Sequence, residues 1–143
     1  TTQQSKVVRS YAEWLQKTDW DIFSTVTYQY NVKPKQNHRI MMGVEEYLKS
    51  LKNKFKMFWV MEHTNYRFST HNHLLLKGEG IEQEIEYHLN CKGLIKYLMK
   101  ECQEQQGLIT DKVKHLPYEK GASLYVAKYL CDSNAEYNIV ESK

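Results

Sequence analysis

The stretch "FSTHNHLLLKG", residues 68–78, places two histidines one residue apart at the head of a leucine run. Residues two apart in a β-strand point to the same face, so His71 and His73 share a side with Leu75 while Asn72 points to the other. The segment before it, "KMFWVMEH" at residues 56–63, is strongly hydrophobic, and a short polar link over residues 64–69 joins the two. This pattern predicts a β-hairpin. Pairing around a tip at residues 65–68 sets Glu62 opposite His71 and Val60 opposite His73, which places a carboxylate beside both imidazoles.

Outward from the hairpin, the periodicities alternate. Val7, Val8, Tyr11, Trp14 and Leu15 predict a short amphipathic helix over residues 7–17, and "WDIFSTVTYQYNV", residues 20–32, predicts a strand rich in β-branched and aromatic side chains. Pro34, with Lys33, Lys35, Asn37 and His38 around it, reads as a polar loop. Ile40, Val44, Tyr47, Leu48, Leu51 and Phe55 then recur at helical spacing over residues 39–55, with Lys49, Lys52 and Lys54 on the opposite face. After Gly78 and Gly80, helical patterns run to residue 105, with Ile85, Leu89, Ile95, Leu98 and Met99 as the buried stripe and Gly93 as a dividing point. A weaker strand is expected at residues 108–118, a last helix at 122–132 after Gly121, and an edge strand at 136–140. This order predicts one α+β domain spanning residues 1–143, with a mostly antiparallel sheet carrying helices.

Composition narrows the class. A chain of 143 residues supports one sizeable core, and 41% hydrophobic with 26% charged residues is an ordinary globular mixture. The net charge of +3 permits a polyanionic partner without requiring one. Eleven tyrosines, three tryptophans and four phenylalanines, interleaved with Lys and Arg, provide side chains on which unpaired bases stack. Cys91, Cys102 and Cys131 are odd in number and lack C-x-x-C spacing, which suggests a reducing compartment and neither a disulfide framework nor a cysteine zinc site. No run approaches the roughly 18 apolar residues of a membrane span.

Two histidines on one strand face with a facing carboxylate suit a divalent metal with open coordination positions, the mark of a catalytic rather than a structural site. On the last helix, Tyr125, Lys128, Tyr129 and Asp132 fall at i, i+3, i+4 and i+7 and share one stripe, while Val126, Ala127 and Leu130 form the apolar side. Read singly, each feature is also compatible with ordinary packing: a core histidine pair, and a Lys128–Asp132 pair in solvent.

In combination they resemble a known family. "STVTY" on the first strand, "THNHLLL" on the hairpin and "YVAKYL" on the late helix occur in the order of the three motifs of the HUH endonucleases, specifically the rolling-circle replication initiator (Rep) nuclease domain with its RRM-like palm. The resemblance covers most of the chain. It implies metal-dependent, site-specific nicking and joining of single-stranded or hairpin DNA at a replication origin through a covalent 5′-phosphotyrosine. It also implies His71 and His73 as ligands of Mn²⁺ or Mg²⁺ with Glu62 as the third, Tyr125 as nucleophile, and Lys128 as a stabiliser of charge. Tyr125 and Tyr129 fit the Y-x-x-x-Y spacing of some members, but Asp132 stands where a second lysine is expected, so Tyr125 leads and Tyr129 is the runner-up. Asn72 departs from the hydrophobic residue usual between the histidines, which bears on packing or edge exposure and not on the metal face.

DNA recognition is assigned to Thr25, Thr27, Tyr28, Tyr30, Lys33 and Lys35 on the first strand and the following loop, whose alternative reading is an ordinary strand and a solvated loop. The setting implied is the cytoplasm of a bacterial or archaeal host carrying a plasmid, phage or viral replicon. No P-loop is present, so any helicase belongs to another protein or a missing region. The alternatives are a single-tyrosine transposase of the same superfamily and, in another class, a non-catalytic single-stranded nucleic-acid-binding module.

Overall fold

The computed structural model describes residues 2–27, 32–64, 69–89, 112–131 and 135–143. Within them the chain runs α1 (Thr2–Gln16), β1 (Ile22–Thr27), α2 (Pro34–Ser50), β2 (Lys56–Thr64), β3 (Ser69–Lys77), α3 (Ile81–Tyr87), β4 (Lys112–Pro117), α4 (Lys120–Leu130) and β5 (Tyr137–Glu141). The five strands form one sheet in the order β4-β1-β3-β2-β5, and every neighbouring pair is antiparallel. With its four flanking helices this is an α+β fold, as expected. Among the described residues no helix is long and apolar enough to cross a membrane.

The strand bearing the histidines is the central one. Leu74, Leu75 and Leu76 of β3 are all buried in succession because both faces of the sheet are covered. Each such leucine contributes about 1.5–3 kcal/mol of burial. On one face Leu74 and Leu76 meet Trp59, Met57, Val26 and the apolar stripe Ile40, Met41, Val44 and Leu48 of α2. On the other, Leu75 joins Phe58, Val60, Leu15 and Trp20 beneath Val126 and Leu130 of α4. The indole Nε1 of Trp20 donates to Leu15 O at 2.7 Å, a second bond to a carbonyl that also accepts the Thr18 N–H at 3.2 Å past the end of α1.

Three expectations need correction. The polar loop around Pro34 is the first turn of α2, which starts five residues earlier than expected and ends at Ser50 rather than near Phe55. Proline suits a first helical position because its missing N–H would be unbonded there anyway, and the Lys33 N–H donates to Gln36 Oε1 at 3.1 Å as half of a capping box. Asn37 hid this turn: it occupies the core-facing position but is polar. Strand β1 starts at Ile22 rather than Trp20 and is described as far as Thr27, and residues 28–31 of the expected strand lie outside the described residues. Finally, α1 leaves Val7 and Trp14 substantially exposed, so its buried stripe is narrower than its apolar count suggests. The expected hairpin tip, the dividing Gly93 and the buried stripe at Ile95, Leu98 and Met99 lie outside the described residues.

A buried carboxylate on the α2 face is fully occupied. Glu45 accepts from Trp59 Nε1 at 2.8 Å and from Asn138 Nδ2 at 2.9 and 3.0 Å, which anchors edge strand β5 to the helix. Three hydrogen bonds offset the desolvation that an unpaired buried charge would suffer.

Candidate active site

The register of the β2–β3 hairpin places Glu62 opposite His71 and Val60 opposite His73. On its other side β3 pairs with β1, putting Thr25 opposite His73 and Thr27 opposite His71. His71, His73, Glu62, Thr25 and Phe23 therefore gather on the face that α4 covers, at one end of the sheet. This follows from the pairing register, since a slip by one residue would carry the imidazoles or the carboxylate to the α2 face.

His73 is the hub. Its Nε2 lies 2.9 Å from Glu62 Oε2, and its Nδ1 lies 3.4 Å from Thr25 Oγ1. Burial pushes its pKa below the ordinary imidazole range, and the bond to Glu62 only partly opposes that shift. The neutral ring is the form that can ligate a metal.

Helix α4 brings both tyrosines over this ring. Its apolar side, Val126, Ala127 and Leu130, is buried against the sheet, and Tyr129, at the border of that side, packs half-buried on the same core, which brings it and Tyr125 one turn earlier onto the strand bearing His73. Tyr129 stacks on the His73 imidazole with centroids 4.7 Å apart at 17°, and Tyr125 meets the same ring edge-on at 5.1 Å and 89°. The Tyr129 hydroxyl donates to the Tyr125 hydroxyl at 3.1 Å. Burial, then the bond to Tyr125 and the nearby Glu62 charge, pushes the Tyr129 phenol well above its usual pKa. Tyr125, by contrast, is 41% exposed and open to an approaching ligand.

Lys128 is exposed on α4, and among the described residues no hydrogen bond or ion pair joins it to the cluster. Lys33 and Lys35 are exposed at the start of α2, and Tyr28, Tyr30 and Asp132 lie outside the described residues. Phe23 was not anticipated. Its ring lies parallel to His73 at 6.1 Å and edge-on to Tyr125 at 5.8 Å, so it walls the pocket from the β1 side. Its position two residues before Thr25 on an alternating strand was the available signal.

Two imidazoles and a carboxylate are a mixed nitrogen and oxygen donor set, whose carboxylate suits Mn²⁺ or Mg²⁺ and whose imidazoles suit Mn²⁺ better than the harder Mg²⁺. The 2.9 Å between His73 Nε2 and Glu62 Oε2 also fits, since cis ligands about 2.1 Å from an octahedral ion lie about 3 Å apart. The third donor is not drawn in: among the described residues no three His, Cys, Asp or Glu side chains already form a metal-binding cluster.

Asn72, between the histidines, is fully buried on the opposite face. Its amide and that of Asn37 exchange hydrogen bonds at 2.7 and 2.9 Å, tying β3 to the first turn of α2. Asn72 is thus a packing device, and the face carrying His71 and His73 is left untouched.

Residues 21–134 match a family model of the replication-associated protein ORF2 type. No curated protein and no solved structure matches the chain.

Proposed function

Because the chain belongs to the replication-associated protein ORF2 family, of the rolling-circle Rep type, we propose that it nicks and rejoins single-stranded DNA at a replication origin through a phosphotyrosine. The observation that carries this reading is the edge-on contact of an exposed phenol, Tyr125, with the imidazole of the part-buried His73–Glu62 pair.

Tyr125 is the nucleophile. Its oxygen attacks the scissile phosphorus in line, its phenolic proton passes to solvent, and the bond from phosphorus to the 3′ oxygen breaks. The departing oxygen gains a proton as a free 3′ hydroxyl, and the 5′ phosphate stays on Tyr125. Return attack by a 3′ hydroxyl reverses the step and rejoins the strand. A phenol with an ordinary pKa near 10 is a weak nucleophile at neutral pH, so a donor to its developing negative charge matters. Tyr129 supplies that donor, because its raised pKa keeps it protonated.

His71, His73 and Glu62 would hold Mn²⁺ or Mg²⁺, and a bound ion would polarise the scissile phosphate as a Lewis acid. Thr25 Oγ1, beside His73 Nδ1, orients the ring so that Nε2 faces Glu62, a role in place of direct DNA contact. Thr27, Tyr28, Tyr30, Lys33, Lys35 and Lys128 are assigned to the DNA strand near the nick. The reaction would take place in a bacterial or archaeal host, with strand separation supplied by a helicase outside the described fold.

The test is a labelled panel of single-stranded origin-like oligonucleotides incubated with protein and Mn²⁺, with and without EDTA, and resolved on denaturing gels. A covalent protein–DNA band that needs metal and vanishes in Tyr125→Phe is the expected result. Tight binding without a covalent product across the panel would instead identify a non-catalytic single-stranded DNA-binding module. Transposon-end strand exchange by a dimer would identify a transposase.

A further inference from the structure

At the end of the sheet away from the histidines lies a recess of about 600 Å³ lined by Lys17, Lys54, Lys56 and Lys77. The lysines come from three places: the end of α1, the entry to β2 and the last residue of β3. Lys56 and Lys77 are direct cross-strand partners on the central hairpin. On its other side Lys56 faces Glu141 of β5, and its amine lies 5.8 Å from the Trp20 ring centroid. These contacts offset the like-charge pairing at Lys56 and leave Lys17, Lys54 and Lys77 as the open cations.

Carboxylates of Asp19, Asp21 and Glu141 share the recess, yet among the described residues none of the four amines forms an ion pair. Asp21 is otherwise engaged, accepting the Gly78 N–H at 2.9 Å, and Lys56 donates to Thr18 Oγ1 at 3.0 Å. Gly78 makes the convergence possible. A Cβ there would meet Lys54 O at 2.6 Å and Ile81 Cγ1 at 2.8 Å, so only glycine lets the Lys77 turn close on the Lys54 segment. Lys17, Lys54 and Lys77 are exposed, hence available to an external anion.

We propose that this recess is a second, non-catalytic DNA contact that takes backbone phosphates of the duplex flanking the nick site. Strand parity puts Lys56 and Lys77 on the same face as Glu62, His71 and His73. Six residues of strand separate His71 from Lys77, about 20 Å. A duplex rises about 3.4 Å per base pair, so some six base pairs span that distance. The aromatic residues at the recess, Phe55 and the neighbouring Trp20, are buried and offer no platform for unpaired bases. The four amines outnumber the three carboxylates by one, and with no aromatic platform beside them they suit phosphates on the outside of a duplex rather than unpaired bases.

The inference rests on the DNA-processing reading only for the identity of the polyanion, and the experiment separates the two. Wild type and the triple variant Lys17→Ala/Lys54→Ala/Lys77→Ala are titrated by fluorescence anisotropy with three probes across a salt series. The probes are a ten-base-pair hairpin with a single-stranded tail, the tail alone and the stem alone. All three positions are exposed, and a melting curve confirms that the variant is folded. The expected result is a loss of tenfold or more for the two stem-bearing probes, with the salt slope smaller by two to three. Tail binding and Tyr125 adduct formation on the tail stay at wild-type level. Equal affinity of variant and wild type for the stem, or an equal loss for stem and tail, overturns the proposal. Failure of the adduct in wild type with stem binding intact would overturn the nicking reading and leave this one standing.

Discussion

Tyr129 lies face to face on His73 while its hydroxyl reaches Tyr125, so one side chain touches both the proposed ligand and the proposed nucleophile. This divides the two tyrosines into separate roles. Tyr125→Phe is expected to abolish the covalent adduct. Tyr129→Phe keeps the stack and loses only the hydrogen bond, for which a decrease of about tenfold in adduct formation is expected, a little over 1 kcal/mol. Single-turnover rates from the gel assay measure both. Complete loss in Tyr129→Phe would refute the one-tyrosine scheme.

Metal binding is expected to be visible without any DNA. Mn²⁺ at a hundredfold excess over its Kd should stabilise the fold by about 2.7 kcal/mol, several degrees in Tm. Glu62→Gln and His73→Ala should each remove most of that shift. An undiminished shift in the double variant His71→Ala/His73→Ala would place the ion elsewhere.

The Asn37–Asn72 pair predicts a non-additive response. Asn72→Leu strands the buried Asn37 amide and should cost about 2–3 kcal/mol in urea unfolding, whereas the double variant Asn37→Leu/Asn72→Leu should recover much of it. Additive losses would show that the two amides do not act as a unit.

Tyr47 provides an alkaline signature. Its hydroxyl donates to Glu84 Oε2 at 2.6 Å, and that bond, with burial and the Glu84 charge, raises its pKa to about 12. The unfolded value is near 10. A group whose folded pKa is raised stabilises fully below its unfolded pKa and loses that contribution as pH rises through the folded value. The difference in stability between wild type and Tyr47→Phe should therefore be constant below pH 10 and shrink between about 10 and 12. A difference that does not change over that interval would contradict the assignment.

The glycines should separate cleanly. Gly78→Ala meets backbone at 2.6 Å with φ at +132° and should cost more than about 2 kcal/mol, while Gly80→Ala, with open space but φ at +74°, should cost about 1 kcal/mol. Gly121→Ala has no neighbour within 4 Å inside α4 and should be neutral or mildly stabilising, as thermal melts will report.

The hairpin register was legible because two hydrophobic runs joined by a short polar link pair around that link, which sets Glu62 opposite His71. The same logic located the apolar side of α4 and the edge strand β5. The first turn of α2 was not legible, since its core position holds Asn37 and its surface holds Lys33, Lys35 and His38, a composition that also describes a loop. The contacts of Phe23, Tyr129 and His73 join three separate elements, and no local pattern encodes a ring stack between them. Convergence of Lys17, Lys54 and Lys77 depends on tertiary closure at Gly78 and was equally invisible.

Strand β3 is bonded on both sides, to β1 and to β2, whereas among the described residues β4 and β5 are each paired on one side. Amide protons of His71 and His73 should consequently be among the last in the protein to exchange with solvent. The rims of the sheet can then tolerate substitution without displacing the imidazoles, because the strand that carries them is held from both sides.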